Sequence, residues 1–136
     1  MTNPVYTSRK FGIEVEFVGA NLSLVAEAIN NAGVPCQFER YNHFTRNYWK
    51  ITTDASLASA GGYAGELVSP ILEGVEGVAE LEKVLQALNA IDGVTINRSC
   101  GLHVHLDSRD MSMGEIARVF TRYSKYEEQI DLCMPR

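Results

Sequence analysis

Apolar and polar side chains alternate over residues 11–18, where Phe11, Ile13, Val15 and Phe17 share one face of an extended chain. Glu14 and Glu16 share the other face. Leu22, Val25, Ala26 and Ile29 then recur at helical spacing, and Gly33 in Asn-Ala-Gly is a natural C-terminal cap. Residues 34–40 and 47–54 read as two further strands, with Tyr41, Asn42 and His43 in the loop between them. A glycine-rich stretch at 60–65 leads into a short strand over 66–71, ended by Pro70. Val78, Leu81, Leu85 and Leu88 predict a helix over 75–91, stopped by Asp92-Gly93. Alternation returns at 100–107: Cys100, Leu102, Val104 and Leu106 lie on one side, His103, His105 and Asp107 on the other. Ser112 and Glu115 make a capping box for a last helix, with Ile116, Val119, Phe120, Tyr123 and Ile130 inward and Pro135 at its end.

The order β-α-β-β-β-α-β-α contains adjacent strands without crossover helices. It predicts an α+β domain spanning 1–136, built on a mostly antiparallel sheet with three amphipathic helices on one face. The opposite face then has no helix to cover it, and Glu14 and Glu16 point there. Met111 and Met113, at the start of the last helix, read as core filler. The aromatic and basic stretch Arg40–Lys50 reads as a half-buried hairpin in preference to a platform for single-stranded bases.

Composition narrows the functional classes. The 136 residues carry 12 basic and 17 acidic side chains, a net charge of −5, which argues against binding duplex nucleic acid by phosphate neutralisation. There is no apolar signal segment and no run of membrane-spanning length, so no membrane partner is expected. Cys36, Cys100 and Cys133 are odd in number and widely spaced, which suits reduced thiols in a cytoplasmic protein.

The paired glutamates bring in chemistry. Same-face neighbours lie about 6.6 Å apart along a strand. Their repulsion is about 0.6 kcal/mol in water but about 2.5 kcal/mol at an effective dielectric of 20. A wet face tolerates that pair; a closing cleft requires a cation or a basic partner. Glu14, Glu16, His103 and His105 are expected on the open face, with Glu66 and Asp54 as further candidates. Oxygen ligands favour magnesium or manganese, and imidazole tilts the choice toward manganese or zinc. The plain alternative is a solvated strand face. No phosphate-cradling glycine loop of either common type is present.

In order along the chain, Phe-Gly-Ile-Glu-Val-Glu-Phe at 11–17, Tyr-Asn-His at 41–43, Asp-Ala-Ser at 54–56, Glu-Leu-Val-Ser-Pro-Ile-Leu at 66–72 and Cys-Gly-Leu-His-Val-His at 100–105 resemble the amidoligase family. These are carboxylate–amine ligases similar to glutamine synthetase and glutamate–cysteine ligase. The resemblance implies a curved antiparallel sheet, a half-barrel of the glutamine synthetase kind, with divalent cations held on its concave side. It implies that Glu14, Glu16, Glu66, His103 and His105 are metal ligands and that Glu66, Asp54 and Ser56 are catalytic, with Asp54 and Ser56 near an amine site. Ala55 stands where the family's Asp-Gly-Ser has glycine. The implied chemistry is ATP-dependent phosphorylation of a small-molecule or peptide carboxylate, followed by attack of an amine.

The chain ends at Cys-Met-Pro-Arg, where family members continue into a second half bearing phosphate-binding residues. Arg40, Arg46, Lys50 and Arg98 are the basic candidates here, and none matches such a position. The resemblance therefore implies the N-terminal half of a site, completed by a missing C-terminal half or by a homodimer across an open sheet edge. Two other functions compete. One is a non-catalytic binding protein on the ligase scaffold, for example a phage or mobile-element inhibitor of a host protein. The other is a zinc-dependent hydrolase using His103, His105 and a carboxylate.

Overall fold

The computed structural model describes residues 8–59 and 62–132. Strand β1 (Lys10–Val18) is followed by helix α1 (Leu22–Asn31), β2 (Cys36–Phe38), β3 (Trp49–Thr52), β4 (Ala64–Val68), β5 (Leu72–Glu73), α2 (Gly74–Asn89), β6 (Leu102–Leu106) and α3 (Met113–Asp131). The six strands form one open sheet in an α+β fold. Two compact units divide the chain, one ending at Leu106 and one beginning at Asp107.

β1 organises the sheet because it pairs along both edges. Glu14 lies opposite Val68 of β4 on one side and His103 of β6 on the other. Phe11 likewise lies between Leu72 of β5 and Leu106 of β6. All pairings are antiparallel except β2 with β3. That exception corrects the hairpin expected around Arg40–Lys50: β2 and β3 run parallel, joined by an irregular loop over 39–48.

The core lies on the side of β1 that carries Phe17. Trp49, Ile51 and Leu67 from the sheet pack there with Val25 and Ile29 of α1 and Val84 and Leu88 of α2. Asn21 caps α1 by accepting from the Ser23 and Leu24 amides. Gly33 (φ 82°) lets the chain leave that helix in the left-handed region. Gly65 has no room for a side chain, since a Cβ would lie 2.5 Å from Leu22 Cδ2 and 3.0 Å from Thr52 O. The Trp49 indole N–H donates to Glu80 (2.8 Å), tying β3 to α2. Cys36 is buried, which pushes its thiol up to about 12 and keeps it protonated.

The stripe on α2 differs from the expected one. Gly77, Val84 and Leu88 are the buried positions, whereas Leu85 is exposed. A true helix advances 100° per residue, so Val84 replaces Leu85 one turn before Leu88.

α3 has the expected capping box between Ser112 and Glu115. Its expected inward residues are not buried: Ile116, Val119, Phe120 and Tyr123 are all exposed, as is Met113, which corrects its reading as core filler. α3 lies in the second compact unit, and the buried core of the first takes its helical residues from α1 and α2. Pro135 and Cys133 lie outside the described residues. Leu102, Val104 and Leu106 of β6 are exposed as well. Among the described residues, no helix is long and apolar enough to cross a membrane.

Candidate metal centre

Cross-strand register puts the polar side chains on one face before any side-chain distance is considered. Directly opposed residues in neighbouring strands point to the same side of a sheet. Glu16 of β1 opposes Glu66 of β4, and Glu66 opposes Thr52 of β3. One row across three strands is therefore Glu16–Glu66–Thr52. The neighbouring row runs from His103 of β6 through Glu14 and Val68 to Lys50 of β3. His105 lies opposite Gly12, on the same face as His103.

Two groups of potential ligand atoms result: Glu14, Glu66 and His103, and Glu16, Asp54 and Glu66. Within each, one atom per residue lies within 4.8 Å of the others. An octahedral ion with bonds of about 2.1 Å needs donors about 3 to 4.2 Å apart, so small side-chain adjustments reach that geometry. Glu66 belongs to both groups. Its carboxyl is pushed up to about 6, first by burial and then by the charges of Glu14, Asp54 and Glu16.

The imidazoles hold the neighbouring acid. His103 Nδ1 lies 3.0 Å from Glu14 Oε2, and His105 Nε2 lies 3.2 Å from the same oxygen. Burial pushes Glu14 upward, but the hydrogen bonds and charges of His105 and His103 outweigh it and leave the carboxyl below its usual value. His103 is raised in turn, chiefly by its hydrogen bond to Glu14. His105 serves Glu14 and is part of neither ligand group. Asp54 joins Glu16 and Glu66 in the second group. The Ser56 amide and hydroxyl both donate to Asp54 Oδ1, each at 2.7 Å, and fix that carboxylate.

Glu16 is the most confined of these acids, at 7% exposure. It accepts a short hydrogen bond from the Gly101 amide, while its own amide donates to Gly101 O at 3.1 Å. A Cβ on Gly101 would stand 3.0 Å from His103 Nε2 and 3.3 Å from Glu16 Oε2. The space beside these two groups thus depends on Gly101 being glycine. Thr52 Oγ1 is buried next in the row and has no hydrogen-bond partner among the described residues.

These acids line a cavity of about 700 Å³ whose other wall is the 39–48 loop. Lys50, 4% exposed, donates to Asn42 O, Asn42 Oδ1 and Phe44 O at 2.8, 3.1 and 3.0 Å. Arg46 lines the cavity too, whereas Arg40 and Arg98 do not. From sequence alone Gly101 and Thr52 have no role of their own, and the loop reads as part of a half-buried hairpin rather than as a cavity wall. The alternation Trp49-Lys50-Ile51-Thr52, with Trp49 and Ile51 inward, carries the signal that Lys50 and Thr52 share the face of the acids.

A family model described as "Putative amidoligase enzyme" matches residues 7–135. No curated protein and no solved structure matches the chain.

Proposed function

The chain belongs to the amidoligase family, and from that membership and the cavity's chemistry we propose that it is an ATP-dependent, amide-forming ligase scaffold whose open sheet face holds a divalent cation. The observation that carries this reading is the meeting of four carboxylates and an imidazole, from β1, β4, β6 and the segment just after β3, in two groups that share Glu66. Like charges packed this closely are costly in a partly closed site without a cation among them. The fit is supported by the donor set, by the space that the missing Gly101 side chain leaves, and by the unpartnered Thr52 hydroxyl, which a cation's water would satisfy. Magnesium or manganese suits the oxygen-rich groups better than zinc, since each group offers at most one imidazole.

In this reading Glu14, Glu16, Asp54, Glu66 and His103 are the ligands, His105 and Ser56 orient Glu14 and Asp54, and the Gly101 amide fixes Glu16. When bound, the cation supplies charge neutralisation for phosphoryl transfer to a carboxylate. The chain's own acids would also place an incoming amine, with Asp54 as the carboxylate nearest the expected amine site. The test is manganese-dependent ATP turnover stimulated by an added carboxylate and amine, lost in Glu66→Gln. Metal-independent turnover, or turnover retained in Glu66→Gln, refutes it.

A second reading has one specific observation in its favour. Lys50 spends its ammonium on loop oxygens, and Arg46 is paired with Glu39, so the described cavity offers little free positive charge to a triphosphate. A binding protein that retains the cation site without turnover fits that feature. Manganese binding with no nucleotide affinity would select it.

A further inference from the structure

The cavity is bipolar, and its second wall has a built geometry of its own. Loop 39–48 is fastened at two oppositely charged points. Glu39 accepts from Arg46 Nε (2.9 Å) and Nη2 (2.8 Å), from the Tyr48 hydroxyl (2.6 Å) and from Asn42 Nδ2 (2.8 Å). Those donors, the Arg46 hydrogen bonds foremost and Tyr48 next, hold the Glu39 carboxyl down at about 2. Lys50, on β3, fastens the other side through the oxygens of Asn42 and Phe44. Asn42 touches both points: its Nδ2 donates to Glu39 and its Oδ1 accepts from Lys50, while the same Oδ1 also accepts from the Phe44 amide at 3.1 Å.

Arg46 is thereby held in one orientation. Glu39 occupies its Nε–Nη2 edge, and the Phe44 ring lies 5.5 Å from the guanidinium carbon. No described residue accepts from Nη1. Arginine offers donors along more than one edge, so a side chain fixed by a carboxylate on one edge can still bind an oxyanion on another. A lysine in its place gathers its three donors on one nitrogen and has no separate planar edge for a bidentate oxyanion. Arg46 lines the cavity floored by Glu14, Glu16, Asp54 and Glu66, and it also borders a second cavity beside Glu73, Glu76 and Glu80. An anion entering alone meets that acidic floor and is repelled. With a cation on the floor, the same anion is attracted from two sides.

We propose that loop 39–48 is a recognition wall, in which Arg46, positioned by Glu39 and by the Lys50-anchored loop, binds the oxyanion group of a ligand across the cavity from the cation. This rests on the cation reading above and adds to it the residue that would hold the carboxylate or phosphoryl group which that reaction already requires. Arg46 is the binding residue; Glu39 and Lys50 are positioning residues. One guanidinium edge suits one such group and does not by itself hold a triphosphate.

The experiment is calorimetric titration of the full chain with manganese, then of the manganese-loaded protein with glutarate and, separately, with inorganic phosphate. The native protein is expected to bind at least one of the two anions, and only when manganese is present. Glutarate alone identifies a carboxylate substrate; phosphate alone identifies a phosphoryl group. Arg46→Met is expected to weaken that anion at least tenfold while leaving manganese affinity within twofold. Arg46→Lys keeps a cation for Glu39 and so protects the loop; it is expected to lose the anion to the same extent. Hydrogen exchange at 42–44 reports whether either variant has loosened the wall. Native anion affinity in Arg46→Lys overturns the proposal, as does failure of both anions to bind the loaded native protein. Failure of manganese itself to bind overturns the cation reading and this proposal together, a result distinct from intact manganese binding without anion binding.

Discussion

Gly101→Ala separates the cost of folding from the cost of losing the cation site. Gly101 has no left-handed backbone angle, so alanine suits its conformation. Such a replacement ordinarily stabilises a protein by about 0.4–1 kcal/mol through the unfolded chain. Against that stands the new methyl group, 3.0 Å from His103 Nε2 and 3.3 Å from Glu16 Oε2. His103 is half exposed and can swing, giving up its 3.0 Å contact with Glu14; an off-rotamer ring costs about 0.5–1.5 kcal/mol. The two effects nearly cancel, and we expect the melting free energy to change by less than about 1 kcal/mol. Cation affinity behaves differently. His103 belongs to one ligand group and Glu16 to the other, so the methyl group disturbs both. Changes to residues that orient ligands typically cost about 10–100-fold in affinity. We expect manganese to bind about tenfold more weakly, read by calorimetry, with thermal melting as the control for the fold. Gly62→Ala is the matched control, since a Cβ there meets nothing within 4 Å. Unchanged manganese affinity in Gly101→Ala, with the fold intact, would refute a cation held beside Glu16 and His103.

The pH dependence should have opposite signs with and without the cation. Glu66 is raised to about 6, so the folded state favours its proton; that stabilisation is present below the unfolded value of 4.5 and fades as the pH approaches 6. His103 is also raised, so its stabilisation is present below 6.5 and is lost as the pH rises through its higher folded value. The metal-free protein should therefore melt at lower temperature as the pH climbs from about 5 to 7.5. Manganese affinity should rise over the same span, by up to about tenfold per unit for each proton displaced. A pH-independent affinity would exclude Glu66 and His103 as ligands. Lys50→Met should cost about 1–3 kcal/mol and speed amide exchange at 42–44, because the Asn42 and Phe44 oxygens lose a buried donor. On α2, Val84→Ala should cost about 2 kcal/mol in denaturant unfolding, and Leu85→Ala under about 0.5 kcal/mol. The reverse order would place the helix stripe where residue counting first puts it.

Strict alternation made the site's first half readable without coordinates. Once Phe17 faces inward, Glu14 and Glu16 must face outward, and His103 likewise lies on the opposite side of β6 from Leu102 and Val104, although these two are themselves exposed. Glu66 and Asp54 lie on or beside strands that alternate less cleanly, so alternation alone does not place them. Register decides their position: Glu66 opposite Glu16 is a long-range pairing with no local signature. Lys50 illustrates the other limit. Its period-2 position was visible, but nothing local indicates that its ammonium is committed to loop oxygens eight and six residues earlier. Leu85 and Val84 differ by one position in a helix, and several apolar stripes fit the same α2 sequence until tertiary packing selects one. α3 has the cap that Ser112 and Glu115 announce, because a capping box is a local signal.

The cation itself can be located. Crystals soaked in manganese, with anomalous diffraction recorded above its absorption edge, should show density between Glu14, Glu66 and His103 or between Glu16, Asp54 and Glu66. Crystals of Glu66→Gln, treated alike, should lose that density, because the two groups share this residue. A fully soaked native crystal with no anomalous peak on this face, or a peak that persists in Glu66→Gln, would contradict a cation held by these side chains.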